Sequence, residues 1–136
     1  MPQLSGILLV DDDPTTNFLN QSLLHRLAVT NNVLVAQDGQ QALAMLTQHC
    51  LPPTPECPNL ILLDVNMPGM DGIQFLESYQ HLPLAEQKAI VIVMLTTSLH
   101  PHDVQRVQQL HVVTGFISKP LTAEKVHTLL QEHFPA

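Results

Sequence analysis

The 136-residue sequence has few basic residues and no tryptophan. Five Lys and Arg stand against twelve Asp and Glu, which gives a formal net charge of −7. Proteins that bind nucleic acids non-specifically neutralise phosphates with clustered basic side chains, so this balance argues against direct nucleic-acid binding. Because the chain has only four Phe and one Tyr, aliphatic side chains must build most of its core.

Long apolar runs and glycine-rich phosphate loops are missing too. The first apolar run ends at Val10, before three aspartates, and is too short for a signal peptide or a membrane span. No glycine-rich loop ending in Lys-Ser or Lys-Thr occurs, which excludes a P-loop NTPase. With 45% hydrophobic and 12% charged residues, we expect one globular domain over residues 1–136, with a core of about 6–134 and no output domain.

The two cysteines, Cys50 and Cys57, flank a proline-rich stretch within residues 48–58. The sequence leaves open a disulfide or two free thiols, and the absence of a secretion signal favours the thiols. We interpret the stretch as a surface insertion, away from the acidic residues and without an assigned role. The eight histidines are scattered and lack the ligand spacing of a structural zinc site.

Five short apolar runs alternate with amphipathic segments. The first, third and fourth are nearly continuous Ile, Leu and Val, which is typical of strands covered on both faces. The runs are Ile7–Val10, Val33–Ala36, Leu60–Leu63, Ile90–Leu95 and Gly115–Ser118. This alternation predicts an α/β fold, a doubly wound five-stranded parallel sheet with helices on both faces.

Spacing and capping residues predict the helices between these runs. Apolar residues at helical spacing indicate the buried faces of the first and last helix: Leu19, Leu23 and Leu27, then Val126, Leu129 and Leu130. Residues suited to helix entry precede each helix: Asp13-Pro14, Asp38-Gly39, Asp71-Gly72, His100-Pro101 and Pro120-Leu121-Thr122.

Polar side chains follow four of the five predicted strands, where an open parallel sheet places its functional site. They are Asp11, Asp12, Asp64, Thr96 and Lys119. Three carboxylates at one edge repel each other unless a cation lies between them, and hard oxygen ligands suit Mg²⁺. A lysine and a hydroxyl suit phosphate oxygens. Together they predict a Mg²⁺-dependent phosphoryl-transfer site with a carboxylate nucleophile.

These residues lie in strings that resemble the receiver domains of bacterial two-component response regulators. The strings are Val10–Pro14, Leu63–Gly72, Leu95-Thr96 and Lys119-Pro120, and the similarity extends from Ile7 to Phe134. The resemblance implies the flavodoxin-like strand order 2-1-3-4-5 and a cis Lys119-Pro120 bond. Residues 84–88 and 96–98 further resemble single-domain receivers associated with phytochrome-type kinases.

The resemblance also implies the roles of the acidic residues and of the metal. Asp64 would be the phosphoacceptor. Asp11, Asp12, Asp64 and the backbone carbonyl of Asn66 would bind Mg²⁺, with Asp11 acting mainly through water.

The remaining roles concern the phosphorylated state. Thr96 would hydrogen-bond the phosphoryl group, and Lys119 would pair with Asp64 or with the phosphoryl oxygens. Thr96 and Phe116 would form the switch, with Phe116 turning inward as Thr96 moves toward the phosphate.

The function implied is that of a cytoplasmic signalling protein. A histidine kinase would donate the phosphoryl group, and the protein would catalyse only its own phosphorylation and dephosphorylation. Output would pass by contact to a downstream protein or a phosphotransfer protein, with a homodimer as one form of the protein. Neither nucleic acid nor membrane is an expected partner.

Two other functions compete with this one. An aspartyl phosphatase of the haloacid-dehalogenase kind places a second acid two residues after its nucleophile, where this chain has Asn66. A receiver-like module that binds partners without phosphorylation usually lacks an acidic or lysine position, and this chain lacks none. The second is the stronger alternative.

Overall fold

Five parallel strands form a single sheet in the order β2-β1-β3-β4-β5, as predicted. The structure is a computed structural model that describes residues 4–52, 54–65, 67, 69–83, 90–96 and 101–134, without the side chains of 102 and 103. The strands are β1 (Ile7–Val10), β2 (Val33–Ala36), β3 (Leu60–Asp64), β4 (Val91–Thr96) and β5 (Gly115–Ser118). β3 and β4 each continue one residue past the predicted end, because Asp64 pairs with Leu95 and Thr96 with Ser118.

Five helices in the described part of the chain connect these strands. They are α1 (Pro14–Leu27), α2 (Gly39–Cys50), α3 (Gly72–Tyr79), α4 (Pro101–Leu110) and α5 (Ala123–His133). The predicted entry residues cap four of them, since the side chains of Asp13, Asp38, Asp71 and Thr122 each accept a hydrogen bond from a backbone N–H of the first turn. No helix among the described residues is long and apolar enough to cross a membrane.

The sheet lies between two helical layers, which confirms the doubly wound prediction. Alternate strand residues pack against α1 and α5 on one face, and the others pack against α2, α3 and α4 on the opposite face. Val126, Leu129 and Leu130 are buried as expected. Leu19 is not, because the inward face of α1 runs through Leu23 and Leu24 and leaves Leu19 59% exposed.

The stretch 48–58 differs from its prediction in two ways. α2 continues through Cys50, so the loop is shorter than expected. Cys50 and Cys57 form a disulfide, which makes the prediction of free thiols wrong. The loop turns back on itself and brings the two Cα atoms to 5.0 Å, a separation that a disulfide spans readily. The peptide bonds preceding Pro52 and Pro120 are cis, the second as expected.

Tyr79, at the end of α3, makes stability sensitive to alkaline pH. Burial raises its pKa from 10.0 to about 12, so the unfolded chain loses this proton first. The stability that the buried, neutral phenol of Tyr79 gives the fold is fully present below about pH 10. It is lost as the pH rises through 12, which lowers the free energy of unfolding by about 2 kcal/mol. We expect Tyr79→Phe to remove this loss in urea unfolding between pH 9 and 12. Tyr79 is the single tyrosine, so tyrosinate absorbance follows it directly. An ordinary tyrosinate titration midpoint would contradict the expectation.

Candidate functional site

Three carboxylates meet beyond the carboxyl ends of β1 and β3. These strands pair in register up to Val10 and Leu63, so Asp11 and Asp64 occupy the next pair of positions. Carboxylate oxygens of Asp11, Asp12 and Asp64 all lie within 4.8 Å of one another. Asp11 and Asp64 are buried and Asp12 is exposed, so the group opens to solvent on the side of Asp12.

Lys119, immediately after β5, joins this acid group. Its Nζ lies 3.0 Å from Asp11 Oδ2 and 3.2 Å from Asp64 Oδ1. Burial alone would lower the pKa of Lys119, but the hydrogen bond and charge of Asp11 and the charge of Asp64 raise it overall. The lysine therefore remains charged and bridges the two buried carboxylates. The sequence predicted the pairing with Asp64 and missed the contact with Asp11.

Backbone and side-chain hydrogen bonds fix the position of Asp11. Its N–H donates to the carbonyl of Ala36 at 3.0 Å, and its Oδ1 accepts from the N–H of Asp13 at 2.9 Å. The buried Asn17 on α1 donates from Nδ2 to the Asp11 carbonyl at 2.8 Å. The sequence analysis did not identify Asn17. A polar residue on the inner face of a helix, one turn after the N-cap, is the pattern that would have indicated such a contact.

The end of β3 is fixed by the close approach of α3. The N–H of Gly72 donates to the carbonyl of Val65 at 3.0 Å. A Cβ on Gly72 would lie 2.4 Å from the carbonyl oxygen of Asp64, which is far inside contact distance. Asp71 and Gln74 exchange two hydrogen bonds as a capping box and fix where the helix begins. Gly72 therefore allows the helix to start directly against the residue that carries the acid.

Thr96 and Phe116, the two predicted switch residues, lie on β4 and on the edge strand β5. Thr96 is buried, one residue beyond the pairing of Asp64 with Leu95, and its carbonyl accepts from the N–H of Lys119 at 2.9 Å. The register of β4 and β5 places Phe116 on the same face of the sheet as Thr96. Phe116 is 42% exposed. Its predicted role as a switch stays a prediction.

Part of the prediction falls on residues that the structure does not describe. Asn66, the expected carbonyl ligand, lies outside the described residues, as do 84–88 and 97–98. The predicted side chains of Asp11, Asp12, Asp64 and Lys119 do meet at one edge of the sheet, and Thr96 ends the neighbouring strand β4 at the same edge.

The donor set fits a hard divalent cation. All three side chains offer carboxylate oxygens, which are the ligands that Mg²⁺ prefers. Structural zinc sites are built mostly from cysteine sulfur and histidine nitrogen. Lys119 brings one positive charge to three negative ones, which leaves the group with a net charge of about −2 when all four are ionised. A small divalent cation beside Asp12 would balance this charge. The residues present therefore fit Mg²⁺.

Comparison with known proteins identifies the family of this chain. The sequence profile described as "Response regulator receiver domain" matches residues 7–131, nearly the whole chain. The chain belongs to the response regulator receiver domain family. Receiver domains bind Mg²⁺ at an acidic pocket, and in this receiver domain Asp11, Asp12 and Asp64 form such a group.

Similar proteins agree with this membership. Response regulator Rcp1 from Synechocystis sp. is 37% identical over 106 residues, which cover 78% of this chain and 71% of that protein. A probable chemotaxis protein CheY from Rhizobium etli is 32% identical, and the match covers 96% and 92% of the two chains. The bacteriophytochrome response regulator AtBRR is 32% identical with a TM-score of 0.75, over 96% and 93%. This last similarity supports the resemblance to phytochrome-associated receivers.

Proposed function

We propose that this receiver domain accepts a phosphoryl group on Asp64 from the phosphohistidine of a partner kinase, in a Mg²⁺-dependent reaction. The observation that carries the proposal is the bridge that Lys119 makes between Asp11 and Asp64 inside the acid group. A buried carboxylate held against a fixed lysine is a positioned nucleophile, with a cation ready for the incoming phosphoryl oxygens.

The transfer moves one phosphoryl group between two proteins. A carboxylate oxygen of Asp64 attacks phosphorus, the P–N bond of the phosphohistidine breaks, and the imidazole nitrogen keeps the electron pair. The product is an acyl phosphate on Asp64 and a histidine on the kinase. Asp11, Asp12 and Asp64, together with the predicted Asn66 carbonyl, would hold Mg²⁺, which would supply positive charge against the repulsion between phosphoryl and carboxylate oxygens.

The residues of the chain position the group and respond to it. Phosphorylation adds about 1.5 to 2 negative charges beside Lys119, which pairs with the new oxygens. The Thr96 hydroxyl donates to another phosphoryl oxygen. Phe116 turns inward on the same face of the sheet and changes the exposed surface that a partner contacts. Output therefore passes through protein–protein contact with a downstream protein or a phosphotransfer protein, and the chain catalyses only its own phosphorylation and dephosphorylation.

Intact mass after incubation with acetyl phosphate tests this proposal. We expect a gain of one phosphoryl group that requires Mg²⁺ and is lost in Asp64→Asn, because the amide cannot act as the nucleophile. Asp38→Asn is the matched control, since Asp38 caps α2 outside the acid group and asparagine keeps the cap. The control variant should gain phosphate like the wild type.

The competing function, a receiver-like module that binds partners without being phosphorylated, predicts the opposite result. A binding module that works without phosphorylation would gain no mass under any condition. Equal gain in the wild type and in Asp64→Asn would place the acceptor elsewhere and contradict the assignment of Asp64.

A further inference from the structure

The connection from α2 to β3 carries a second pair of reactive groups, far from the acid group. Cys50 is the last residue of α2, and its disulfide with Cys57 closes a loop three residues before β3 begins. Cys50 is completely buried in the core between the sheet and α2. Cys57 is partly exposed. Its side chain packs against the edge of the same core, so Cys57 is the one residue of the pair that solvent reaches.

We propose that Cys50 and Cys57 form a thiol–disulfide exchange site, which reacts with small external thiols through Cys57. Attack on a disulfide requires access to one sulfur, and the partly exposed Cys57 is the accessible one. Cys50 is then the leaving group, which stays in the core as a thiol. This inference goes beyond the proposed function and does not depend on it.

The loop keeps its shape through contacts that do not involve sulfur. The N–H and the hydroxyl of Thr54 both donate to the carbonyl of His49, at 2.8 and 2.9 Å. The Thr54 hydroxyl oxygen accepts from the N–H of Glu56 at 3.2 Å, and the Thr54 carbonyl accepts from the N–H of Cys57 at 3.0 Å. Thr54 is thus the centre of the turn. We expect these bonds to hold Cys57 near Cys50 after reduction, so that the disulfide re-forms readily.

Further contacts attach the loop to the rest of the domain. Nδ1 of His49 lies 3.3 Å from Oε2 of Glu56. Ser5 donates from its hydroxyl to the carbonyl of Cys57 at 3.1 Å, and Asn32 donates from Nδ2 to the carbonyl of Glu56 at 3.3 Å. Ser5 and Asn32 precede β1 and β2, so the loop lies at the amino ends of the strands, opposite the edge that carries Asp64.

The reduction of the disulfide needs no reagent other than a thiol. A thiolate of glutathione attacks the sulfur of Cys57, the Cys57–Cys50 bond breaks, and Cys50 leaves as a thiolate that takes up a proton. A second glutathione thiolate then attacks the mixed disulfide and releases Cys57 as a thiol. Two glutathione molecules are oxidised to their disulfide as the protein disulfide is reduced, and oxidised glutathione reverses both steps.

The test is native-state reduction and re-oxidation of the whole chain. Purified protein is incubated with reduced glutathione, quenched by acid and alkylation, and analysed by intact and peptide mass. We expect mixed disulfide at Cys57 to exceed that at Cys50 by at least about tenfold, because buried cysteines are inert. Circular dichroism should show a folded protein after reduction, with a Tm about 5–10 °C lower. Cys50→Ser with Cys57→Ser should show no change of Tm with reductant.

Thr54→Val distinguishes a disulfide that the loop holds ready for exchange from a disulfide that only stabilises the loop. The substitution removes the hydroxyl's bonds to the His49 carbonyl and to the Glu56 N–H, and it should slow re-oxidation by oxidised glutathione about fivefold or more. Thr128→Val is the matched control, since the hydroxyl of this exposed threonine donates to the Glu124 carbonyl of its own helix and to no other group among the described residues, and this variant should re-oxidise like the wild type. Equal rates in the two variants would overturn the proposal. So would a disulfide reduced only after unfolding, or equal modification of Cys50 and Cys57.

Discussion

Replacing Lys119 with methionine is expected to lower the free energy of unfolding by about 1–3 kcal/mol. Removing one partner of a buried ion pair costs about 3–5 kcal/mol, and the smaller figure allows for the partial exposure of this lysine. Asp11 and Asp64, at 3.0 and 3.2 Å from its Nζ, would then face each other without the shared cation. We expect added Mg²⁺ to restore part of the loss, because it supplies the missing positive charge.

The pH dependence of this effect follows from the raised pKa of Lys119. Because the pKa of Lys119 is higher in the folded protein than in the unfolded chain, its charge stabilises the fold. This stabilisation is fully present below the unfolded pKa of 10.5 and is lost as the pH rises through the folded pKa. The difference between wild type and Lys119→Met should therefore persist at neutral pH and shrink above about pH 10.5.

Lys125→Met is the matched control for Lys119. Nζ of Lys125 donates to the carbonyls of Ser118 and Pro120, at 2.7 and 2.9 Å, and to no carboxylate among the described residues. Urea unfolding of this variant should not depend on Mg²⁺ more than that of the wild type. Phosphoryl acceptance should fall about a hundredfold or more in Lys119→Met and stay near wild type in the control. Equal stability and equal Mg²⁺ dependence of the two variants would contradict the bridge.

Gly72→Ala is expected to have the second large effect, about 2–3 kcal/mol of stability together with much of the phosphoryl acceptance. The added Cβ would lie 2.4 Å from the carbonyl oxygen of Asp64 and 3.0 Å from Cα of Val65. Both neighbours are backbone atoms, so relief requires β3 or α3 to move, and overpacking of this kind costs about 1–3 kcal/mol. Any such movement also shifts Asp64.

Gly115→Ala provides the comparison, because the nearest atom to its Cβ is a flexible histidine side chain at 4.0 Å. We expect a change within about 0.5 kcal/mol and normal phosphoryl acceptance, as for most substitutions that create no clash. Chemical denaturation and acetyl phosphate labelling of both variants measure the two effects together. A Gly72→Ala protein as stable and as active as Gly115→Ala would show that the close approach of α3 does not position Asp64.

The sheet and its functional edge were predictable because they follow from local patterns. Uninterrupted apolar runs indicate strands buried on both faces, and parallel strands bring their carboxyl ends to one edge. Asp11, Asp64 and Lys119 are far apart in the sequence, but each directly follows or ends a strand, so topology alone brings them together. The capping aspartates were predictable for the same local reason.

Features that depend on three-dimensional packing were not predictable. Leu19 fits a helical apolar row, yet the inward face of α1 is set by its angle to the sheet, and Leu19 is exposed. The bond between Cys50 and Cys57 depends on how the intervening loop turns, which spacing does not determine. The contact of Asn17 with the Asp11 carbonyl likewise depends on the exact placement of α1.

Locating the phosphoryl group itself tests Asp64 as the acceptor. The protein is phosphorylated with acetyl phosphate and Mg²⁺, treated with borohydride to reduce the acyl phosphate to an alcohol, and digested for peptide mass analysis. We expect Asp64 alone to be converted to homoserine, and Asp64→Asn to show no conversion. Conversion at Asp11 or Asp12, or at no aspartate of a protein that gained phosphate, would contradict it.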